Sequence, residues 1–288
     1  MTERTSFLDL EYHDPSGAPA ASAVVVLPLP YEGTVTWGAG TARGPDALIE
    51  ASCEVELYDE VLGFEPCHVG ITTAPAPAMP VGARDAAEIA RRETAAILER
   101  GRWPVVIGGE HSLSLGVYQA LAARDPEIGV IQIDAHADLR EEYHGSPYSH
   151  ACVMARIREH TDDVLQLGIR SLSRGEAERI AREELAVAMM HELRSGRFDV
   201  EAALAALPRR VFLTFDVDAL DLSLVRATGT PDPGGFLWDE INALLRTIFA
   251  FKQVVGMDLM ELCGGDPPSA ITAARLVQRM IGLRFPPS

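Results

Sequence analysis

The stretch Gly129–Arg140 reads GVIQIDAHADLR. It opens as a short apolar run with Val130, Ile131 and Ile133 at its centre, the pattern of a strand buried on both faces. It then switches abruptly to acids and imidazole: Asp134, His136 and Asp138. In open α/β sheets ligands bind just beyond the carboxyl ends of strands, so this switch marks both a parallel strand and the rim of a site.

Working outward, the same unit recurs. Apolar runs at Val24–Leu29, Pro104–Ile107, Val164–Ile169, Arg210–Phe215 and Val254–Met260 predict five further strands. Between them, three- and four-residue apolar spacing predicts helices over Ala83–Arg100, Ser112–Ala123, Ser149–Glu159, Arg174–Glu184, Val200–Leu207, Trp238–Phe249 and Ser269–Ile281. Pro45 suits the first turn of a short helix at Asp46–Ala51, and Gly101 the end of another. The Pro/Ala-rich segment Thr73–Val81 reads as a loop. Strands alternating with helices predict an α/β fold, a mostly parallel sheet covered on both faces. With no repeat or long linker, residues 1–288 read as a single domain.

Composition narrows the function. At 47% hydrophobic and 23% charged residues the chain is an ordinary globular protein, and no apolar stretch is long enough to span a bilayer. The opening MTERTSFLDLEYHD lacks the basic and apolar regions of a secretory signal, so a cytoplasmic location is expected. Cys53, Cys67, Cys152 and Cys263 are scattered and read as reduced thiols. A net charge of −17 argues against nucleic acid or an anionic membrane as partner and mildly favours a cationic substrate. Lys252 is the only lysine and lies in a polar step before a strand, which removes Schiff-base chemistry from consideration.

Polar clusters follow four of the predicted strands: Glu110–His111, Asp134–Asp138, Asp216–Asp218 and Glu261. His111, Asp134, His136, Asp138, Asp216 and Asp218 supply two imidazoles and four carboxylates with no thiolate, a donor set suited to manganese above magnesium or zinc. On an extended backbone D-A-H-A-D throws Asp134, His136 and Asp138 to one side, and D-V-D does the same for Asp216 and Asp218. Four clustered buried carboxylates are intolerable without counter-charge, and apart from Arg140 no basic residue but histidine lies in these clusters. Paired divalent cations supply that charge, bridged by carboxylates about 3.5–4 Å apart.

The blocks GGEHSLSLG (Gly108–Gly116), IDAHADLR (Ile133–Arg140), SHACVMARI (Ser149–Ile157), TFDVDALD (Thr214–Asp221), ATGTPDPGG (Ala227–Gly235) and GMDLMEL (Gly256–Leu262) resemble the signatures of the ureohydrolase (arginase/agmatinase) family. PLPYEGTVTWGAGTARGPDALIEAS (Pro28–Ser52) resembles it too, so the likeness runs from about residue 24 onward. It implies a three-layer α/β/α fold with an eight-stranded parallel sheet, two Mn2+ per subunit and a homo-oligomer, a trimer or hexamer. It further implies His111 and Asp138 on one manganese, His136 and Asp218 on the other, and Asp134 and Asp216 bridging.

The chemistry implied is attack of an activated water on a guanidinium carbon, releasing urea and an amine, because divalent cations bring water's pKa to about 7. The resemblance gives Asp138 the nucleophile's proton, Glu261 the guanidinium and His150 the leaving amine, with His144 as rival to His150. His13, His68, His160 and His191 have no ligand-spaced neighbours and read as structural.

Leu139–Tyr143 (LREEY) lacks the Asn and Ser with which arginases receive a carboxylate, and so looks like the agmatinase branch, whose product from agmatine is putrescine. Glu141 or Glu142 is then a candidate partner for the substrate's distal amine. Departures are Cys263–Gly264 for the usual Asn–Pro, and Leu222 and Arg226 for prolines. These leave guanidinobutyrase, guanidinopropionase, free-guanidine hydrolase and formiminoglutamase activities open. Two other classes compete: a binuclear amidase or deacetylase, and a non-catalytic metal-stabilised relative.

Overall fold

The computed structural model describes residues 6–9 and 22–287; His13 lies outside them. Eight strands form one sheet: β1 (Val24–Leu29), β2 (Ile71–Thr73), β3 (Trp103–Gly108), β4 (Gly129–Ile133), β5 (Val164–Ile169), β6 (Ala186–Met189), β7 (Arg210–Asp216) and β8 (Gln253–Met260). Their order is β2-β1-β3-β8-β7-β4-β5-β6, and every neighbouring pair is parallel. The expectation of a mostly parallel sheet is thus met by a wholly parallel one. The two unanticipated strands, β2 and β6, are its edges.

The period-2 geometry of a strand divides the side chains between two cores. Along β7, Val211, Leu213 and Phe215 enter one core and Phe212 the other. The first core is closed by helices Gly44–Ser52, Val200–Ala206, Trp238–Phe251 and Pro267–Arg284, the second by Ala83–Glu99, Ser114–Ala122 and Val153–Ile157. The result is a three-layer α/β/α sandwich.

Helix Ala83–Glu99 buries Ala83, Ala86, Ala87, Ala90, Thr94, Ile97 and Leu98, one face at three- and four-residue spacing. Its small residues let helix Ser114–Ala122 approach so closely that a Cβ at Gly116 would lie 1.9 Å from the Ala87 carbonyl oxygen. Local chemistry sets the helix starts. Ser173 and Glu176 form a capping box, and Asp266 accepts from Ser269 N–H below Pro267. Lys252 is buried and donates Nζ to the Leu207 carbonyl at 2.6 Å, a structural role.

The sheet order positions the site. β3, β8, β7 and β4 are consecutive neighbours, so the polar clusters following them, up to 150 residues apart in sequence, share one edge of the sheet.

Candidate metal centre

β3 delivers His111 through Gly108–Gly109. Gly109 is obligatory there, because a Cβ would meet the Tyr31 carbonyl oxygen at 1.9 Å. His111 is 1% exposed. Its Nε2 lies 2.8 Å from Thr214 Oγ1 on β7, which fixes the ring. Its Nδ1 points at three carboxylates: Asp134 and Asp216 oxygens each at 3.1 Å and an Asp138 oxygen at 3.4 Å. That Nδ1 has no hydrogen-bond partner. A buried imidazole nitrogen aimed without a bond into converging carboxylates is what a cation ligand looks like.

On the other side, His136 Nδ1 lies 2.9 Å from an Asp218 oxygen and 3.7 Å from one of Asp134. Two sets of donor atoms each close enough to hold one ion result: His111, Asp134 and Asp216, and Asp134, His136 and Asp218. Asp134 belongs to both, the placement of a bridging ligand, whereas Asp216 joins only the first and Asp138 neither. The donor set of oxygen and imidazole, the shared carboxylate and the orphaned nitrogen fit a pair of divalent cations.

Convergence is reached by a different backbone path from the extended alternation expected. The chain bends at Ala135, and Asp138 takes a left-handed conformation (φ 52°). Its carbonyl accepts from the Met154 and Ala155 amides, both at 3.1 Å, which holds the turn against the usual preference of a non-glycine residue. Asp216–Val217–Asp218 is likewise a tight helical turn at Val217–Ala219, begun by the Asp216 carboxylate accepting the Asp218 N–H at 2.9 Å. Carboxylates adjacent to free backbone N–H groups cap turns rather than stay extended.

The electrostatics show what is missing. Burial, then Asp218 and Asp134, pushes the Asp216 carboxyl well above its ordinary range. Burial and Asp134 push Asp138 up to about 7. Burial also opposes charge on Asp134, yet His111 and His136 hold it below the ordinary range. His136 is pushed up to about 12, Asp218 and Asp134 outweighing burial. Without cations, protons neutralise the cluster; divalent ions would displace them.

A cavity of about 250 Å³ opens over these groups. His111, His136, Asp138, His150, Asp216 and Glu261 line it, with Thr36, Arg140, Tyr143, Glu176 and Thr230 among the wall residues. Glu261 follows β8 in a left-handed conformation (φ 66°), held by its N–H on the Gly109 carbonyl and by Oε1, which accepts from the His111 N–H, both at 2.7 Å. Burial and then Glu110 push its carboxyl well above the ordinary range. Burial, first, holds the His150 imidazole below its ordinary value.

His144 is not among the lining residues, and neither are Glu141 and Glu142. Glu141 is held by Arg156 at 2.6 Å and Arg179 at 2.7 Å, so the suggestion that it meets a substrate amine is withdrawn. His68 pairs with Glu65 on the surface, and His160 sits beside Tyr118 and Gln119.

Two partners of the site, Gln132 and Thr230, escaped the sequence reading, and a third, Glu110, stands there only as a member of the Glu110–His111 cluster with no role given. Gln132 Nε2 donates to Asp134 Oδ2 at 2.6 Å and is itself held by Gln166. Thr230 Oγ1 donates to Asp218 at 3.3 Å. Glu110, 1% exposed, accepts from the amides of Gly33 and Thr34. An uncompensated acid beside a ligand histidine in GGEHS was the available signal.

Behind His111, Asp258 on β8 is fully buried and neither carboxylate oxygen has a hydrogen-bond partner. Burial pushes it up to about 6. An acid raised on folding gives full stability below its unfolded value near 4 and loses it as the pH climbs through the folded value. The metal-free protein is therefore expected to lose about 3 kcal/mol at this residue between about pH 4 and 7. Asp258→Asn should flatten that slope in thermal melts; parallel slopes for the two proteins would contradict it.

A carboxylate–imidazole cluster around an unbonded buried nitrogen, at the carboxyl edge of a parallel sheet, can hold divalent cations and activate water for hydrolysis. Comparison with known proteins assigns the class more closely. Residues 22–282 match the arginase family. The N(1)-aminopropylagmatine ureohydrolase of Synechocystis sp. is 39% identical over 274 residues, 91% of this chain and 89% of that protein. The agmatinase of Pyrococcus horikoshii is 34% identical, over 90% of this chain and 91% of that protein. Among solved structures, the agmatine ureohydrolase of Thermoplasma volcanium superposes with a TM-score of 0.85 at 25% identity, over 94% of this chain and 92% of that one. The chain belongs to the arginase family, whose members are binuclear metal enzymes. Within that family it is a ureohydrolase with agmatinase-like relatives.

Proposed function

We propose that this protein is a two-manganese hydrolase that releases urea from a guanidino-amine, with N(1)-aminopropylagmatine as the preferred substrate. The observation that carries the metal chemistry is Asp134 shared between two donor sets beneath the unbonded His111 Nδ1. The relatives at 39% and 37% identity bear the aminopropylagmatine name, which supports this choice of substrate. Agmatine itself, giving putrescine, is the second reading, favoured by the agmatinase at 34%.

Bound manganese would lower the pKa of water enough to provide a nucleophile near neutral pH. His111, Asp134, His136, Asp138, Asp216 and Asp218 would hold it. Glu261 has Oε1 occupied by the His111 N–H, leaving Oε2 for the planar N–H donors of a guanidinium. Asp138 takes the proton of the attacking water, and His150 returns one to the departing amine nitrogen as the C–N bond breaks. Water plus guanidinium thus gives urea plus an alkylammonium, with atoms and charge balanced. A substrate tail without a carboxylate suits the wall, because Arg140 is already engaged: it stacks over Tyr143 at 4.8 Å, and its Nε lies 3.8 Å from Glu176. The site works within one domain in a cytoplasmic homo-oligomer on this reading; no helix among the described residues is long and apolar enough to cross a membrane.

The test is urea release by manganese-loaded protein across agmatine, N(1)-aminopropylagmatine, arginine, guanidinobutyrate, guanidinopropionate and free guanidine, with formamide release measured for formiminoglutamate. The highest kcat/KM on aminopropylagmatine is expected, and a preference for a carboxylate-bearing compound would overturn the substrate class. Glu261→Gln should lower kcat/KM by about 100-fold, the loss of a charge-assisted pair, while manganese content stays at wild-type level. Unchanged kinetics would remove Glu261 from the guanidinium subsite.

A further inference from the structure

Thr34 lies 76 residues before Glu110 and 116 before His150, yet its hydroxyl touches both. Thr34 Oγ1 is 2.5 Å from Glu110 Oε1, 3.0 Å from His150 Nδ1 and 3.1 Å from the His150 backbone nitrogen. A hydroxyl has one proton to give and two lone pairs to offer. A carboxylate only accepts, so the single proton goes to Glu110. The His150 backbone N–H donates to one lone pair. What remains for Nδ1 is the other lone pair, and Nδ1 must carry a hydrogen to use it.

We infer that Thr34, oriented by Glu110, is a positioning residue that locks neutral His150 as its Nδ1–H tautomer and leaves Nε2 bare for proton exchange in the cavity. Glu110 is built for this task. Its Oε2 accepts the Gly33 and Thr34 amides at 2.8 and 2.6 Å, and its Oε1 accepts the Thr34 hydroxyl and, at 2.7 Å, that of Ser112. The two backbone N–H groups facing Oε2 are obligatory donors, and the Thr34 hydroxyl facing Oε1 can turn its proton to an acceptor there. His150 in turn lines the same cavity as Glu261 and the metal-binding cluster. The Thr34 loop therefore does more than close the wall: it selects which ring nitrogen can act.

The consequence for turnover rests on the proposed ureohydrolase reading; the tautomer does not. The experiment uses protein labelled with 15N in its histidine rings, loaded with zinc because manganese broadens nearby signals, with His150 assigned by its loss in His150→Gln. In the wild type at pH 8, Nδ1 should carry the proton and Nε2 should be bare. Thr34→Val, which keeps the shape and removes the hydroxyl, should lose this bias, and Thr34→Ser should restore it. Glu110→Gln gives a sharper outcome. With its amide oxygen on the two backbone N–H groups, its NH2 faces Thr34, whose proton must then turn to Nδ1, flipping His150 to the Nε2–H form.

In kinetics with the best urea-yielding substrate, Thr34→Val should lower kcat by about 10–100-fold, the range for groups that orient reacting residues, with KM within twofold of wild type. Thr34→Ser should recover most of it. An Nε2–H wild type, or a tautomer indifferent to both Thr34→Val and Glu110→Gln, overturns the lock. Wild-type kcat in Thr34→Val overturns its bearing on turnover. A wild type that yields no urea from any guanidine removes the functional reading instead, and the ring-nitrogen spectra still decide the lock.

Discussion

Asp134→Ala is expected to strip the protein of bound manganese and to lower kcat/KM by well over 100-fold. Mutating the outer partners of metal ligands already costs about 10–100-fold, and Asp134 would be a direct ligand to both ions. It is 0% exposed, stands in both donor sets, and its two oxygens lie near both imidazoles. Its removal also takes one negative charge from beside both His111 and His136, which opposes cation binding further. Elemental analysis after dialysis should fall from two ions per chain toward none. Full occupancy in the purified variant would rule out the bridging role.

His150→Ala should separate chemistry from metal. General acid–base catalysis contributes about 10²–10⁴-fold, so kcat should fall within that range while manganese content stays at two per chain. No metal-ligand distance involves this side chain, which is tied to Thr34 instead. His144→Ala is the control, since His144 packs on Tyr143 and does not line the cavity. If the His144 variant is the inactive one, the proton donor has been misassigned.

Much of this architecture was legible from sequence, and the exceptions have physical causes. The six long strands carry β-branched runs bounded by helical spacing. β2 is only Ile71–Thr73, next to a Pro/Ala-rich loop, and β6 reads AVAM, whose alanines and methionine carry no strand signal. Both are edges, stabilised by one neighbour each, and tertiary pairing made them strands where propensity did not.

The site divides in the same way. The candidate site residues stand in contiguous motifs at the ends of β3, β4, β7 and β8, so residue type and strand end sufficed to nominate them. Their backbone paths were not legible, because the bend at Ala135 and the turn at Asp216 arise from hydrogen bonds formed only on folding. Thr34 carries no motif of its own. Its meaning comes from Glu110 and His150, far along the chain, and only folding brings the three together.

β8 is the last strand in sequence among the described residues, yet it lies between β3 and β7, in the middle of the sheet. A growing polypeptide that has not reached Gln253 has no partner to fill that gap, so the imidazole after β3 and the acids after β7 cannot yet face each other. The donor set of His111, Asp134 and Asp216 must accordingly wait for β8, whereas Asp134, His136 and Asp218 come from β4 and β7, which pair directly, so a fragment ending before Gln253 should hold at most one manganese ion. Such long-range closure also belongs to slow folders, since distant ends must meet before their contacts repay the lost freedom.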